Sequence, residues 1–424
     1  MQLVVLNDTL RLHDNPLLTK LNGPAAAVVV LDESAFFGAQ YGIYRANLMR
    51  LQQQLSVIEK LQTSLARQSI GLITLVGDYA TSVLSLAQAL EAHSVRCAEP
   101  VATFEYRALS HLQSKLDVKL LDCNSLLGDE LRPQLHLVAD SFTPFRKQLE
   151  PALKVSATQA ATAEHTDWLT PEQTKGYNTA FNQLLVKYGA THHCKVAAEA
   201  QSLQHLDNYI WQQKHILHYK QSRNALFGDN YASFVSTPLA IGTLSVRWVW
   251  QKIEQFEQQV TANESTYWLK FELLWREFFR WQQRKYGQRW FSKNGIKGEP
   301  DFAMPDLTDT ERNKFTSWCA GNSGEAFIDA NMRLLNQTGL MSNRGRQNVA
   351  SYLIHDLALD WRLGAAYFEQ RLLDYDCASN WCNWAYIAGV GNSASARPFN
   401  TQKQAQQYDA EGKFVRSMLR NAAT

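Results

Sequence analysis

The sequence contains no tryptophan before Trp168, although it contains twelve in all. It also lacks any apolar run long enough to cross a bilayer, since runs such as residues 25–31 fall far short of the roughly 20 residues required. The first absence predicts that the two parts of the chain do different physical work, and the second predicts no membrane partner. At 424 residues the chain exceeds the size at which one core stops growing, so two domains are expected.

Charge and cysteine patterns exclude further classes of protein. The net charge of +2 gives no general surface for polyanions, although it is compatible with a local basic groove. The six cysteines have no regular metal-ligand spacing and follow no secretory signal, so we expect reduced thiols, a cytoplasmic location and no metal. The run His192-His193-Cys194 lacks a partner cluster, which argues against a metal site there.

Common catalytic and nucleotide-binding motifs are also missing. The first part of the chain has no G-x-G-x-x-G turn and no phosphate-binding loop, so it gives no evidence for a dinucleotide or nucleotide site, and no serine lies in a G-x-S-x-G elbow. An enzyme on this scaffold would therefore take its reactivity from a bound cofactor.

Periodicity divides the chain into three parts. Over residues 1–130, short apolar runs at 3–6, 25–31 and 72–76 alternate with helical patterns, which predicts an α/β domain with a parallel sheet. Residues 131–200 are richer in proline and small polar residues and are interpreted as a surface connector, with residues 142–146 as an anchor. Residues 201–424 show helical spacing throughout, which predicts an all-α domain.

The stretch 341–392 places many polar groups between large aromatics. Apolar residues in 349–361 and 365–372 recur at helical spacing, so two helices are predicted. The second is predicted to end at Asp374 and Asp376, where the negative end of the helix dipole disfavours carboxylates. We expect a cation or hydrogen-bond donors to compensate them; the alternative is two solvated acids.

Two further segments could carry chemistry. Ser233, Ser236 and Thr237 precede a helical pattern and could form an anion site, or else an ordinary helix N-cap. Glu272 and Arg276 are four residues apart beside an aromatic helix face, which predicts either a surface pair or a buried ion pair.

Three motifs are distinctive: Ser-Asn-Arg-Gly-Arg-Gln-Asn-Val-Ala-Ser at 342–351, Ala-Gly-Val-Gly-Asn at 388–392, and Leu-Arg-Leu-His-Asp-Asn-Pro at 10–16. With them, the chain resembles the photolyase and cryptochrome family, most closely its cryptochrome DASH branch, specifically over 205–416 and more loosely over 1–130. The resemblance implies a Rossmann-like domain with a five-stranded parallel sheet at 1–130, a connector at 131–200 and a helical FAD-binding domain at 201–424.

The resemblance also implies roles for residues around FAD. Tyr219, Ser233 and Ser236 would contact the phosphates, and Arg276 and Asn343 would line the flavin pocket. Asp374 and Asp376 would accept hydrogen bonds from the flavin and adenosine side, and Arg346 would pair with Asp374. Asn380 would face the reactive central nitrogen of the flavin ring.

Trp384 and Trp361 match the inner and middle tryptophans of the family's electron-transfer chain, whereas Thr308 occupies the outer position, so Trp318 or Trp381 would have to substitute. For an antenna chromophore such as methenyltetrahydrofolate the sequence gives no support, because Arg107 and Ala108 stand where the family's photolyases carry an Asn-Glu pair.

By the same resemblance, the protein would be a deoxyribodipyrimidine photo-lyase that repairs pyrimidine dimers in DNA, preferentially single-stranded, and acts as a monomer. Glu272 would stabilise the dimer radical, with Trp275, Gln347 and Tyr386 lining the dimer pocket and Arg223, Arg344, Arg397 and Lys403 contacting phosphates. The alternative function is a blue-light receptor that binds nucleic acid or protein without repair.

Overall fold

A computed structural model describes residues 1–21, 23–127, 134–156, 158, 167–189, 198–228 and 230–420. The run His192-His193-Cys194 and most of the polar stretch within the connector lie outside the described residues.

The first domain contains a five-stranded parallel sheet, as predicted, in which the strands at residues 72–77, 25–32, 2–5, 94–98 and 117–121 lie side by side in that order. The strand Ala25–Asp32, which lies between two others, reads Ala-Ala-Ala-Val-Val-Val-Leu-Asp because both faces of a parallel sheet are covered. One face packs on the helix at residues 48–66 and the other on the helices at 79–89 and 103–113. The elements are β1 (Gln2–Val5), β2 (Ala25–Asp32), α1 (Glu33–Phe37), the hairpin β3 (Ala39–Gln40) and β4 (Ile43–Tyr44), α2 (Leu48–Ala66), β5 (Leu72–Gly77), α3 (Tyr79–Ala89), β6 (Ser94–Ala98), α4 (Thr103–Gln113) and β7 (Asp117–Leu121).

The described parts of the predicted connector pack on both domains. Its helices are α5 (Phe142–Leu149), α6 (Pro171–Thr174) and α7 (Thr179–Tyr188). Phe142 is buried in the core of the helical domain. Trp168 forms a parallel bridge to Ala25, and the side-chain amide of Asn178 bonds to the backbone of Leu72 and Thr74. The end of the segment therefore returns to the edge of the sheet.

The described residues from 198 onward form helices and no strand, as predicted. They enclose one core that includes the fully buried indoles of Trp281, Trp290, Trp318 and Trp381, which explains where the tryptophans are concentrated. None of the helices in the described ranges is both long and apolar enough to span a bilayer. These helices are α8 (Glu199–Asp207), α9 (Tyr219–Ser222), α10 (Ser236–Ile241), α11 (Val246–Gln259), α12 (Glu264–Tyr286), α13 (Asp309–Ala320), α14 (Ala326–Thr338), α15 (Asn343–Ser351), α16 (Trp361–Arg371), α17 (Cys377–Ala388), α18 (Thr401–Tyr408) and α19 (Lys413–Arg420).

The motif at 10–16 joins the two domains. The fully buried guanidinium of Arg11 donates to the carbonyl oxygens of Cys123 (2.7 Å) and Gly242 (2.9 Å). Asp14 accepts from Nε of Arg247 at 2.9 Å. Because these buried groups satisfy one another only when the domains are docked, the motif fixes the position of the helical domain on the sheet.

Candidate functional site

The helical domain contains a cavity of about 540 Å³, which we call the central cavity. Its walls come from α12, α15, α17 and the segment 219–236. Most of the residues predicted from the sequence line it: Tyr219, Arg223, Ser233, Ser236, Glu272, Trp275, Asn343, Arg346, Gln347, Asp374, Asp376, Asn380, Trp384, Tyr386 and Arg397. Positions scattered over 179 residues of sequence, from Tyr219 to Arg397, thus converge on one site.

Helix α12 supplies the aromatic wall of the central cavity. Trp268, Phe271, Trp275 and Phe279 recur at three- and four-residue spacing, which puts them on one face. The ring of Trp275 stacks on Phe142, with 3.7 Å between centroids. A residue of the predicted connector therefore orients an indole of the site, and no local pattern in the sequence signals this contact.

Glu272 pairs with Arg223, at 2.5 Å, and not with Arg276 as one sequence interpretation had it. Burial raises the pKa of the Glu272 carboxyl, and the charge of Arg223 opposes that shift. Arg276 was also expected to line the flavin pocket, but it faces away from the central cavity and donates to the carbonyl of Asn124 at 2.8 Å. Burial lowers the pKa of Arg276 to about 10.

The prediction that Asp374 and Asp376 end a helix is wrong. Helix α16 ends at Arg371, and Asp376 is the N-cap of α17, where its side chain accepts from the Ser379 amide at 2.8 Å. A carboxylate is favoured at that end of a helix. Burial alone would raise the pKa of Asp376, but the charges of Arg276 and Arg280 bring it below its usual value.

The buried carboxylate of Asp374 has the partner that the resemblance implied. Both of its oxygens accept from Nη2 of Arg346, at 2.9 and 2.8 Å. Arg346 is positioned in turn by the carbonyl of Met341, which accepts from its Nε at 2.9 Å. The pair thus ties α15 to the loop that precedes α17.

Asn380 lies on the wall of the central cavity with its amide oriented by α16. Its Nδ2 donates to the carbonyl of Ala365 at 2.9 Å, so the amide oxygen is the atom left for a ligand. The predicted phosphate segment also reaches the wall through Ser233 and Ser236. Val235, and not a hydroxyl residue, is the N-cap of α10, so neither serine is used as an ordinary cap.

The four predicted DNA-binding residues are not equivalent. Arg223 and Arg397 line the central cavity. Arg344 lies outside it, where its guanidinium sits 4.7 Å from the ring centre of Tyr408. Lys403 is exposed in the first turn of α18.

Each of the two predicted electron-transfer tryptophans contacts one of the two residues expected to replace the missing outer tryptophan. Trp384 lines the cavity and lies 6.2 Å from Trp318, centre to centre. Trp361 lies off the wall and 5.8 Å from Trp381. Thr308 is the exposed N-cap of α13 and provides no ring.

A second cavity, of about 740 Å³, was missed from the sequence. It lies beyond the carboxyl ends of the strands, where Asp8, Asp32, Asp78 and Glu99 follow or end β1, β2, β5 and β6. Parallel sheets bind ligands at this edge. Its other wall includes Arg276, Arg280 and the pair Tyr375 and Asp376, and that pair also lines the central cavity. Arg107 and Ala108, the positions considered for an antenna chromophore, are on its wall.

Glu105 in this second cavity should make stability depend on pH. Burial, reinforced by the charge of Asp8, raises the pKa of Glu105 to about 8 from an ordinary value of 4.5. The folded state then holds a proton that the unfolded state has released, so the free energy of unfolding should fall as pH rises through this window. Denaturant titrations should show this loss reduced in Glu105→Gln and retained in Glu91→Gln, which changes an exposed residue. Identical pH dependence in both variants would contradict the assignment.

Comparisons with known proteins agree with this geometry. The family profile of DNA photolyase matches residues 2–164, and that of the FAD binding domain of DNA photolyase matches residues 268–423. The cryptochrome DASH of Natronomonas pharaonis is 38% identical over 98% of this chain and 89% of its own length. That of Gloeobacter violaceus is 36% identical, over 98% and 85%. The crystal structure of the Synechocystis sp. cryptochrome superposes with a TM-score of 0.85 at 32% identity, covering 99% of this chain and 88% of that one.

The residues of the central cavity fit FAD. The cofactor carries a pyrophosphate, which needs hydrogen-bond donors, and ring N–H groups, which need acceptors. The cavity offers the hydroxyls of Ser233 and Ser236 for the first, and the oxygens of Asp374, Asp376 and Asn380 for the second. With this cofactor domain and near full-length similarity to its members, the chain belongs to the photolyase and cryptochrome family, in its cryptochrome DASH branch.

Proposed function

We propose that the protein repairs cyclobutane pyrimidine dimers in DNA, preferentially in single strands, by light-driven electron transfer. The observation that carries the proposal is that Glu272, Trp275, Gln347 and Tyr386 line the same cavity as the residues that fit FAD. A dimer flipped into that cavity would therefore lie against the cofactor. Bound FAD supplies the light absorption and the electron.

The aromatic residues give the dimer an apolar slot. Tyr386 and Trp275 pack edge to face, with 6.2 Å between ring centroids, and Phe142 stacks on Trp275. Bases bind such surfaces by stacking, whatever their sequence. The slot therefore selects for bases that have left the helical stack.

Polar residues of the cavity can hold the dimer's carbonyl and N–H groups. Arg344 donates from Nη1 to the side-chain oxygen of Gln347 at 2.9 Å, which leaves the amide nitrogen of Gln347 to donate to a base carbonyl. Glu272 can donate a hydrogen bond when protonated, and burial favours that form. Arg344, proposed from the sequence for phosphate contact, thus acts here by orienting Gln347.

The preference for single strands follows from energetics. Extracting a dimer from a duplex costs a few kcal/mol of pairing and stacking, and much less from a single strand. The net charge of +2 provides little general attraction to the phosphates of a duplex that could repay that cost.

The test is illumination of chemically reduced protein with dimer-containing oligonucleotides. We expect dimers to disappear under blue light, faster in a single strand than in the matched duplex, with no change in the dark. Persistence of dimers in both substrates would refute the proposal. Persistence of dimers with the reduced protein, together with light-driven FAD reduction in a separate sample of the oxidised protein, would instead support a blue-light receptor.

A further inference from the structure

A line of aromatic rings runs from the α16–α17 pair to the β3–β4 hairpin. The fully buried indole of Trp381 lies 5.8 Å from Trp361 on one side and 6.4 Å from Tyr41 on the other, centre to centre. Tyr41 sits in the hairpin turn and is partly exposed. The line therefore leads from the interior of the helical domain to solvent.

The inner end of this line reaches the central cavity through Trp384. Trp384 is one turn after Trp381 on α17 and lines the cavity. Its ring lies so close to α16 that a Cβ at Gly364 would be 2.2 Å away, and Gly364 is one turn after Trp361. The seam between the two helices thus holds all three indoles.

We propose that Tyr41 is the terminal electron donor of this protein, passing electrons through Trp381, Trp361 and Trp384 to the cofactor cavity. The proposal rests on the light-driven chemistry proposed above. It assigns to Tyr41 the surface end of the chain, because Thr308 has no oxidisable ring.

Trp384 gives one electron to the photoexcited cofactor, and the resulting hole moves through Trp361 and Trp381. Tyr41 then reduces Trp381 by one electron and loses its phenolic proton to water, which reaches the partly exposed ring. The guanidinium of Arg362, 5.3 Å from the ring centre, disfavours a positively charged ring and so favours proton loss. A thiol reductant in solution returns one electron and one proton to the Tyr41 oxygen.

A rival branch leads from Trp384 through Trp318 to Tyr367. Trp318 lies 6.2 Å from Trp384 and 5.7 Å from Tyr367. Tyr367 is buried, however, and its hydroxyl bonds to the Cys319 carbonyl (2.9 Å) and the side-chain oxygen of Asn336 (2.6 Å), with the guanidinium of Arg371 5.3 Å from the ring centre. None of these groups is a base that could accept a proton, and burial keeps solvent water from Tyr367, whereas Tyr41 is partly exposed. The branch therefore lacks a route for the proton that Tyr oxidation releases.

The test is Tyr41→Phe in the FAD-loaded protein. The substitution keeps the ring and removes only the hydroxyl, which makes a long hydrogen bond, 3.4 Å, to the Phe291 carbonyl and side-chain hydrogen bonds with Gln40 and Arg362 at a partly exposed position, so we expect the fold and FAD content to be retained. Light-driven FAD reduction with a thiol reductant should slow by about tenfold, the effect of adding ~1.4 kcal/mol to the barrier. Matched controls are Tyr44→Phe, an exposed tyrosine of the same hairpin, and Tyr367→Phe on the rival branch.

Two further measurements separate this route from the proposed repair. In the dark, azidyl radicals produced by pulse radiolysis oxidise tryptophan, and the tyrosyl signal that follows should be lost in Tyr41→Phe and kept in Tyr44→Phe. Repair by chemically reduced protein should be equal in all variants, because it bypasses the chain. Wild-type behaviour of Tyr41→Phe in both electron-transfer measurements would overturn the route, and a loss in Tyr367→Phe alone would assign it to Trp318. Absence of repair by the reduced wild type would instead reject the proposed function.

Discussion

Replacing Arg346 by methionine should release FAD and lower the free energy of unfolding by about 3–5 kcal/mol, the range for breaking a buried ion pair. The carboxylate of Asp374 is 4% exposed and receives both of its hydrogen bonds to side chains from Nη2 of Arg346. Methionine fills similar space but leaves this buried charge uncompensated. Denaturant unfolding and the ratio of flavin to protein absorbance measure the two effects.

Three variants show whether the effect comes from the charge. Arg346→Lys should lose less stability, because it keeps the charge but not the planar guanidinium. The double variant Arg346→Met with Asp374→Leu should regain most of the stability, since both charges are gone, but it should not regain FAD. Arg312→Met, at an exposed position on α13, should change the free energy of unfolding by less than about 0.5 kcal/mol. Retention of FAD by Arg346→Met would remove Arg346 from the cofactor site.

The sheet and most helices were predictable because a buried segment carries a characteristic apolar pattern in its own sequence. Strand β2, covered on both faces, reads as a continuous apolar run, and the helices of the second domain show their period directly. The error at the end of α16 was also avoidable. Asp376 is a residue type favoured at helix N-caps and directly precedes the helical stretch 377–388, which indicates the start of a new helix.

Contacts between segments that are far apart in the sequence leave no such local pattern. Sequence spacing paired Glu272 with its neighbour four residues away, whereas its partner, Arg223, is 49 residues away. The stacking of Phe142 on Trp275 and the second cavity likewise depend on how separate elements dock. Periodicity shows which face of a helix is buried but not which segment covers it. Sequence spacing could not predict that these scattered residues line one cavity, whereas the family resemblance did.

Replacing Glu272 by glutamine should reduce dimer repair by about a hundredfold, because the amide can donate a hydrogen bond to the dimer radical but cannot transfer a proton to it. Glutamine keeps the shape of the side chain and can still contact Arg223, so FAD binding should be unchanged. The control is Glu264→Gln on the same helix, whose carboxylate is 64% exposed and pairs with Lys220. Repair per absorbed photon, measured with reduced protein, should fall only in Glu272→Gln.

The pH dependence of repair distinguishes a proton-donating role of Glu272 from a purely structural one. Burial raises the pKa of the Glu272 carboxyl, so the protonated form persists above the usual range for glutamate. Since only that form donates a hydrogen bond, wild-type repair should decline as pH rises through the raised pKa, and the residual repair of Glu272→Gln should not. Removing the positive charge in Arg223→Gln should raise this pKa further, because Arg223 favours the ionised carboxylate. The decline should therefore move to higher pH in Arg223→Gln, even if weaker DNA binding lowers the overall yield. An unchanged midpoint would show that the titrating group is not Glu272.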